Sequence, residues 1–137
     1  MRLVTFDDGR VGKLDGETVV ELDCASTREY FERGGEVPET GQRLDLAAVH
    51  LRAPIVPKKF FHTAGNFTEH HSELQAVNWS HPVHKGIVFF QNVDAIIGPD
   101  EPIVYPEGLT KELDYELELA IVIGRSGKFF SPANRPA

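Results

Sequence analysis

Two short stretches of this chain carry residue types that could do chemistry. The first is Leu113-Asp114-Tyr115-Glu116-Leu117-Glu118-Leu119-Ala120-Ile121-Val122-Ile123-Gly124. Read as a strand, it sends Asp114, Glu116 and Glu118 to one face, and Tyr115, Leu117, Leu119 and Ile121 to the other. Residues two apart on a strand face are about 6.5–7 Å apart at Cα. Two flexible glutamates at that spacing can lean together and share one divalent cation. The acidic face then turns apolar at Ala120 and Val122, and carboxylates at the mouth of such a run are costly to bury unpaired. An all-oxygen donor set suits Mg2+, Mn2+ or Ca2+ better than zinc. An edge strand with a solvated acidic face accounts for the same alternation with no metal at all.

The second stretch is rich in histidine. Of the six histidines, all but His50 fall between residues 62 and 84. On a helix starting near Thr68, His70 and Glu73 stand three apart on one face, with about 5–6 Å between Cβ atoms. A carboxylate beside an imidazole fixes its tautomer and raises its basicity, which suits a general base acting on water. The plainer alternative is a surface helix whose polar residues face solvent. A zinc site could also be assembled from His70, His71, His81 and His84, but these lack a His-Glu-x-x-His spacing.

The elements that must position these groups follow from turn and cap signals. Arg2–Phe6, Arg10–Leu14 and Thr18–Leu22 read as a three-stranded meander, closed by Asp8-Gly9 and Asp15-Gly16. Ser26 and Glu29 have capping-box spacing for a short helix that Gly34-Gly35 ends. Glu36–Gln42 reads as a linker, and Leu44–Leu51 fits a helical turn or a strand about equally. Pro54 and Pro57 mark a boundary between a small lobe, 1–54, and a second domain, 55–137. Beyond it, Phe60–Ala64 reads as a buried strand, Thr68–Val77 as a helix and Asn78–His84 as a loop. Gly86–Gln91, Ala95–Ile97 and Ile103–Tyr105 follow as short extended segments. The expected class is β-rich α+β.

Composition narrows the partners. The 137 residues are 41% hydrophobic and 26% charged, as in a folded globular protein. A net charge of -7 argues against nucleic acid and against an anionic membrane surface. It would also repel an anionic substrate, unless a local cation reverses the potential. The longest apolar run, Leu119–Ile123, is far short of the ~18 residues of a membrane span, and the N-terminus turns polar too early for a signal peptide. Cys24 is the only cysteine, so no internal disulfide forms; a reducing compartment, the cytoplasm, is the expectation.

Taken together, the stretches are more specific. Gly65-Asn66-Phe67-Thr68-Glu69-His70-His71-Ser72-Glu73 resembles the Gly-x-Asn-Tyr-x-x-His-x-x-Glu motif of the fumarylacetoacetate hydrolase superfamily. Phe89-Phe90-Gln91-Asn92-Val93-Asp94-Ala95-Ile96-Ile97-Gly98-Pro99 resembles its Phe-Leu-Lys-x-x-x-Ala-x-x-Gly-Pro segment. Leu113–Ala120 is similar to its Asp-Tyr-Glu-x-Glu-Leu-Ala metal strand, and the meander resembles the small lobe that precedes many members' catalytic part.

The resemblance implies a small β-meander lobe followed by part of a fumarylacetoacetase-like β-roll. It makes Glu116 and Glu118 two of three carboxylate ligands to Mg2+ or Mn2+, and His70 and Glu73 the water-activating dyad. Asn66 would shape the adjoining loop. It implies cleavage, decarboxylation or isomerisation of a 2-oxo or β-diketo acid through a metal-bound enolate, in a family whose full-length members form homodimers. Where many members carry Lys, Gln91 stands in the substrate-contacting position and brings no positive charge. The third carboxylate and a catalytic lysine would lie on segments following Ala137. The expectation is therefore a truncated or split member, inactive as given. The alternative is a non-catalytic β-rich module that associates with a partner chain through open strand edges.

Overall fold

The computed structural model describes residues 1–64, 87–124, 126–129 and 131. The fold is β-rich α+β, and the chain divides into two compact units, Met1–Ile55 with Gly98–Ala137, and Val56–Ile97. Among the described residues no helix is long and apolar enough to cross a membrane.

The N-terminal lobe is an antiparallel sheet in the order β1-β2-β3-β4. Its strands are β1 (Arg2–Phe6), β2 (Arg10–Asp15), β3 (Thr18–Leu22) and β4 (Glu39–Asp45). The tight turns at Asp8-Gly9 and Asp15-Gly16 set the register, with Phe6 opposite Arg10 and Asp15 opposite Thr18. Both faces carry buried side chains. Val11 and Leu22 pack under Tyr30 of the helix α1 (Thr27–Glu32), while Phe6 and Val19 are fully buried on the opposite face.

The capping box forms as the Ser26/Glu29 spacing requires. The Glu29 N–H donates to Ser26 Oγ at 3.1 Å, and Glu29 Oε2 accepts from the Ala25 N–H at 2.7 Å. Reaching one residue beyond the cap, the glutamate ties the incoming chain to the first helical turn. Cys24 lies against this core, and burial pushes its thiol up, away from thiolate chemistry.

The fourth strand replaces the expected linker. Glu39–Asp45 has no apolar alternation and almost no burial, so nothing in its pattern announces a strand. Backbone pairing with β3 and a polar cluster hold it instead. Between the pairs Val20–Arg43 and Leu22–Glu39 the register slips, and Gly41 takes φ 89°. This bulge aims Thr40 and Gln42 back over the sheet. Thr40 Oγ1 donates to Glu21 Oε2 at 3.1 Å, and Arg10 Nη2 donates to Gln42 Oε1 at 3.0 Å. Arg10 also grips Glu21 through two bonds of 2.8 and 2.7 Å and lies 4.9 Å over the Phe6 ring. The Arg10 guanidinium holds the Glu21 carboxyl below the usual carboxylate range. The ambiguous segment Leu44–Leu51 divides: Leu44 and Asp45 end β4, and Leu46–Ala48 form a 3-10 turn capped by Asp45, whose Oδ1 accepts from the Ala47 N–H.

In the second unit, β5 (Phe60–Ala64) and β6 (Ile87–Gln91) form an antiparallel pair with Phe60 opposite Gln91 and Ala64 opposite Ile87. The expectation of a buried strand is corrected here: β5 alternates between half-buried and exposed. The extended segment expected at Ala95–Ile97 is also replaced, by a 3-10 turn over Val93–Ala95. Asn92 caps that turn, its Oδ1 accepting from the Asp94 N–H at 3.0 Å, a local bond that competes with a ladder. Ile103–Tyr105 forms no strand either.

Of the lobe's glycines, Gly12 has the least room for a side chain. A Cβ there would sit 2.5 Å from Val19 Cγ1 and 3.3 Å from Phe6 Cε1. Both neighbours are fully buried and β-branched or aromatic, so neither can swing aside. Gly12→Ala should therefore lower lobe stability by about 1–3 kcal/mol, read as a fall in the urea midpoint with unchanged slope. An unchanged midpoint would show that the Phe6–Val19 packing is looser than its geometry.

Candidate active site

Three sequence-identified site residues fall on described positions, and they lie in different surroundings. Gln91 ends β6, exposed, opposite Phe60. Because paired residues of an antiparallel ladder share a face, Phe60, His62, Ala64, Ile87, Phe89 and Gln91 line one face of the hairpin. Phe61, Thr63, Val88 and Phe90 line the other, where the Phe61 and Phe90 rings lie 4.5 Å apart. Asn66, His70 and Glu73 lie outside the described residues, as do the helix expected over Thr68–Val77 and the loop expected over Asn78–His84.

Glu116 and Glu118 lie in the acidic stretch, which corrects the expected strand. No residue from Leu113 to Gly124 joins a ladder, and its side chains are exposed throughout, Tyr115 at 89% and Leu117 at 99%. The physical reason is the absence of a partner among the described residues. An extended segment gains ladder bonds and a covered face only when a second strand lies beside it. Without one, polar side chains turn to their own backbone, and the Tyr115 N–H donates to Asp114 Oδ1 at 2.8 Å. The donor set is all carboxylate oxygen, which fits a hard cation. Among the described residues, no three or more His, Cys, Asp or Glu side chains are placed to hold one.

A polar clasp upstream of the acidic stretch was not visible in the residue spacing. Glu101 Oε2 accepts from the Gly98 N–H at 2.9 Å, closing the Gly98-Pro99-Asp100-Glu101 turn. Arg52 Nη1 donates to Glu101 Oε1 at 3.1 Å, and Arg52 Nε donates to the Asp7 carbonyl at 2.8 Å. Backbone bonds finish the join: the Arg52 N–H donates to Thr5 O and the Asp7 N–H to His50 O. One carboxylate thus fastens the turn at 98–101 to the end of β1. Arg52 is 49 residues away from Glu101, and no local pattern pairs them. The Gly98 N–H, and then the Arg52 guanidinium, hold the Glu101 carboxyl below its ordinary range.

Comparison with known proteins identifies the family. The family model described as fumarylacetoacetate (FAA) hydrolase C-terminal matches residues 59–135. The model described as Rv2993c-like, N-terminal matches residues 1–54. The chain belongs to the fumarylacetoacetate hydrolase superfamily. It is 32% identical to oxaloacetate tautomerase fahd2, mitochondrial, of Xenopus laevis, over 93% of this chain and 46% of that protein. Protein Rv2993c of Mycobacterium tuberculosis is 34% identical over the same shares. A fumarylacetoacetate hydrolase domain-containing protein 2 homolog of Dictyostelium discoideum is 33% identical over 68% of this chain and 29% of its own. The chain thus spans about half the length of the first two relatives. No solved structure gave a significant match.

The clasp makes a pH-dependent prediction. Glu101 is depressed in the folded state, so its contribution is present above the unfolded carboxyl value. It is lost as pH falls through the folded one. Protection of the Gly98 amide, its exchange relative to an unstructured amide at the same pH, should fall as the solution is acidified through that range. Glu101→Gln should show the faster exchange already at neutral pH. Equal protection in the variant would mean that the turn closes without the carboxylate.

Proposed function

We propose that this chain carries the water-activating dyad and two metal carboxylates of an enzyme acting on a 2-oxo or β-diketo acid. The observation that carries the reading is the family match over residues 59–135, a span holding both His70–Glu73 and Glu116–Glu118. The relatives named oxaloacetate tautomerases, from Xenopus laevis and Bos taurus, favour isomerisation of an oxaloacetate-like acid as the narrowest form. Hydrolysis of a carbon–carbon bond and decarboxylation are the related outcomes, since each develops negative charge on the same oxo oxygen. In this reading residues 1–54 are a small lobe and 55–137 belong to the catalytic domain.

Glu116 and Glu118 would hold Mg2+ or Mn2+, with further donors from beyond this chain. The bound cation would supply positive charge beside the oxo oxygen as negative charge develops there. That charge also offsets the repulsion of an acid by a chain of net charge -7. Glu73 would orient the His70 ring, and His70 would take the proton, from water for hydrolysis or from substrate carbon for isomerisation. Asn66 would shape the loop beside the dyad, and the Gln91 carboxamide would hydrogen-bond the substrate. The protein would work in the cytoplasm, as a homodimer, without nucleic-acid or membrane partners.

A second reading, a non-catalytic module docked on a partner chain, is favoured by one observation: the apolar side chains of 113–123 are exposed. Mutant kinetics separate the two. In the protein that carries this chain, His70→Ala should lower kcat by about 10²–10⁴-fold while metal affinity holds. Glu116→Ala should weaken metal binding and leave turnover that added Mg2+ only partly restores. Loss of the metal on His70→Ala would instead make the histidine a ligand. Turnover of oxaloacetate indifferent to both substitutions would leave the module reading. The 137 residues alone are expected to show no turnover of oxaloacetate or acylpyruvates.

A further inference from the structure

We propose that Arg52 and Glu101 are positioning residues: their clasp fastens the run 98–112 to the N-terminal lobe and so fixes where Glu116 and Glu118 are presented. Their bearing on a cation rests on the reading of those two glutamates as metal carboxylates; the fastening itself does not. The chain leaves its first compact unit after Ile55 and re-enters it at Gly98. The outgoing and returning segments meet there. A Cβ on Gly98 would sit 3.2 Å from Arg52 Cα, and 3.3 Å from both the Ala53 N and the Leu51 carbonyl oxygen. Those atoms are all backbone and cannot swing aside, so the join needs glycine. The outgoing segment is itself pinned to β1, where Thr5 Oγ1 donates to the Pro54 carbonyl at 2.9 Å. On the returning side Asp100 takes φ 61°, a conformation that costs an L residue energy and persists where its surroundings hold it. Glu101 closes the turn around it, with one carboxylate oxygen on the Gly98 N–H and the other on Arg52.

Little slack separates the clasp from the acidic stretch. Pro102 and Pro106 hold φ near about −65° at both ends of the next run. The Leu109 N–H then donates to the Pro106 carbonyl at 2.8 Å, and the Tyr105 hydroxyl to the Thr110 carbonyl at 2.8 Å. The Glu112 N–H donates to Thr110 Oγ1 at 3.0 Å, one residue before Leu113. A chain so tied carries the orientation set at 98–101 to the start of the acidic stretch. Two flexible carboxylates hold a cation more tightly when their backbone is already in place, because ordering a loose segment costs free energy at each binding event. A clasp that only stabilised the lobe would show the same bonds, so metal affinity and stability must be measured together to separate the two roles.

The test uses the protein that carries this chain, labelled with 15N, with Mn2+ as the probe cation. Without metal, residual dipolar couplings of the Leu109 and Glu112 amides should fit the alignment of the β1–β3 amides. Glu101→Gln sets an NH2 group against one of the two donors that the carboxylate accepts from. In that variant the two amides should depart from the alignment while the strand amides keep theirs. Mn2+ affinity should fall by about fivefold or more, with the urea midpoint unchanged. Gly98→Ala, which pushes the run off residues 51–53, should shift the same couplings and weaken Mn2+ comparably. Couplings that still fit the lobe in Glu101→Gln, or full Mn2+ affinity in it whatever its midpoint, would overturn the proposal. Glu116→Ala is the reference for the metal reading. Full Mn2+ affinity in Glu116→Ala would sink that reading, and the couplings alone would then decide the fastening.

Discussion

Backbone hydrogen bonding between neighbouring strands is the constraint on which the described sheets of this chain depend. An extended segment exposes an N–H and a C=O at each residue, and only a partner strand satisfies them in a dry setting. In the N-terminal lobe the requirement is met four strands in succession. The chain emerging from the 3-10 turn even returns to bridge Leu51 to Phe6, which covers part of the β1 edge. Residues 113–124 alternate as a strand would and have no ladder. Alternation prepares a strand; a neighbour makes one.

Polar side chains then do at a few points what apolar packing cannot. The edge strand β4 contributes little to the core, yet the Arg10–Glu21–Thr40–Gln42 cluster fixes its bulge. Lys13 and Arg43 add ion pairs to Glu39 at its start. These pairs are largely exposed and individually weak. They add to the separate cluster in which Glu21 accepts from Arg10, itself stacked over the buried Phe6 ring, and from Thr40. The Glu101 clasp uses the same economy of means, with one carboxylate joining a turn to a segment 49 residues earlier.

The β5–β6 hairpin is apolar on both faces, with Phe61 and Phe90 on one and Phe60 and Phe89 on the other. A two-stranded ribbon buries neither face by itself. That is why its aromatic rings pair across strands and remain partly exposed. His62 and Gln91 interrupt one of those faces, and Thr63 the other.

By itself the sequence determined the local features and the family. The Asp8-Gly9 and Asp15-Gly16 turns, the Ser26/Glu29 cap and the β5 and β6 strands follow from residue type and spacing over a few positions, where physics is local. The motifs around His70, Gln91 and Glu116 are equally local, and they led to the superfamily that the comparisons show. Tertiary structure alone decided whatever depends on a distant partner. Glu39–Asp45 became a strand because β3 lay beside it, although Glu36–Gln42 reads as a linker. Leu113–Gly124 reads as a strand and has no ladder, because among the described residues none lies beside it. Arg52 met Glu101, and His62 came to share a face with Gln91, through register and chain return. No spacing rule encodes such meetings, because the energy of a ladder or a clasp belongs to the pair and not to either segment.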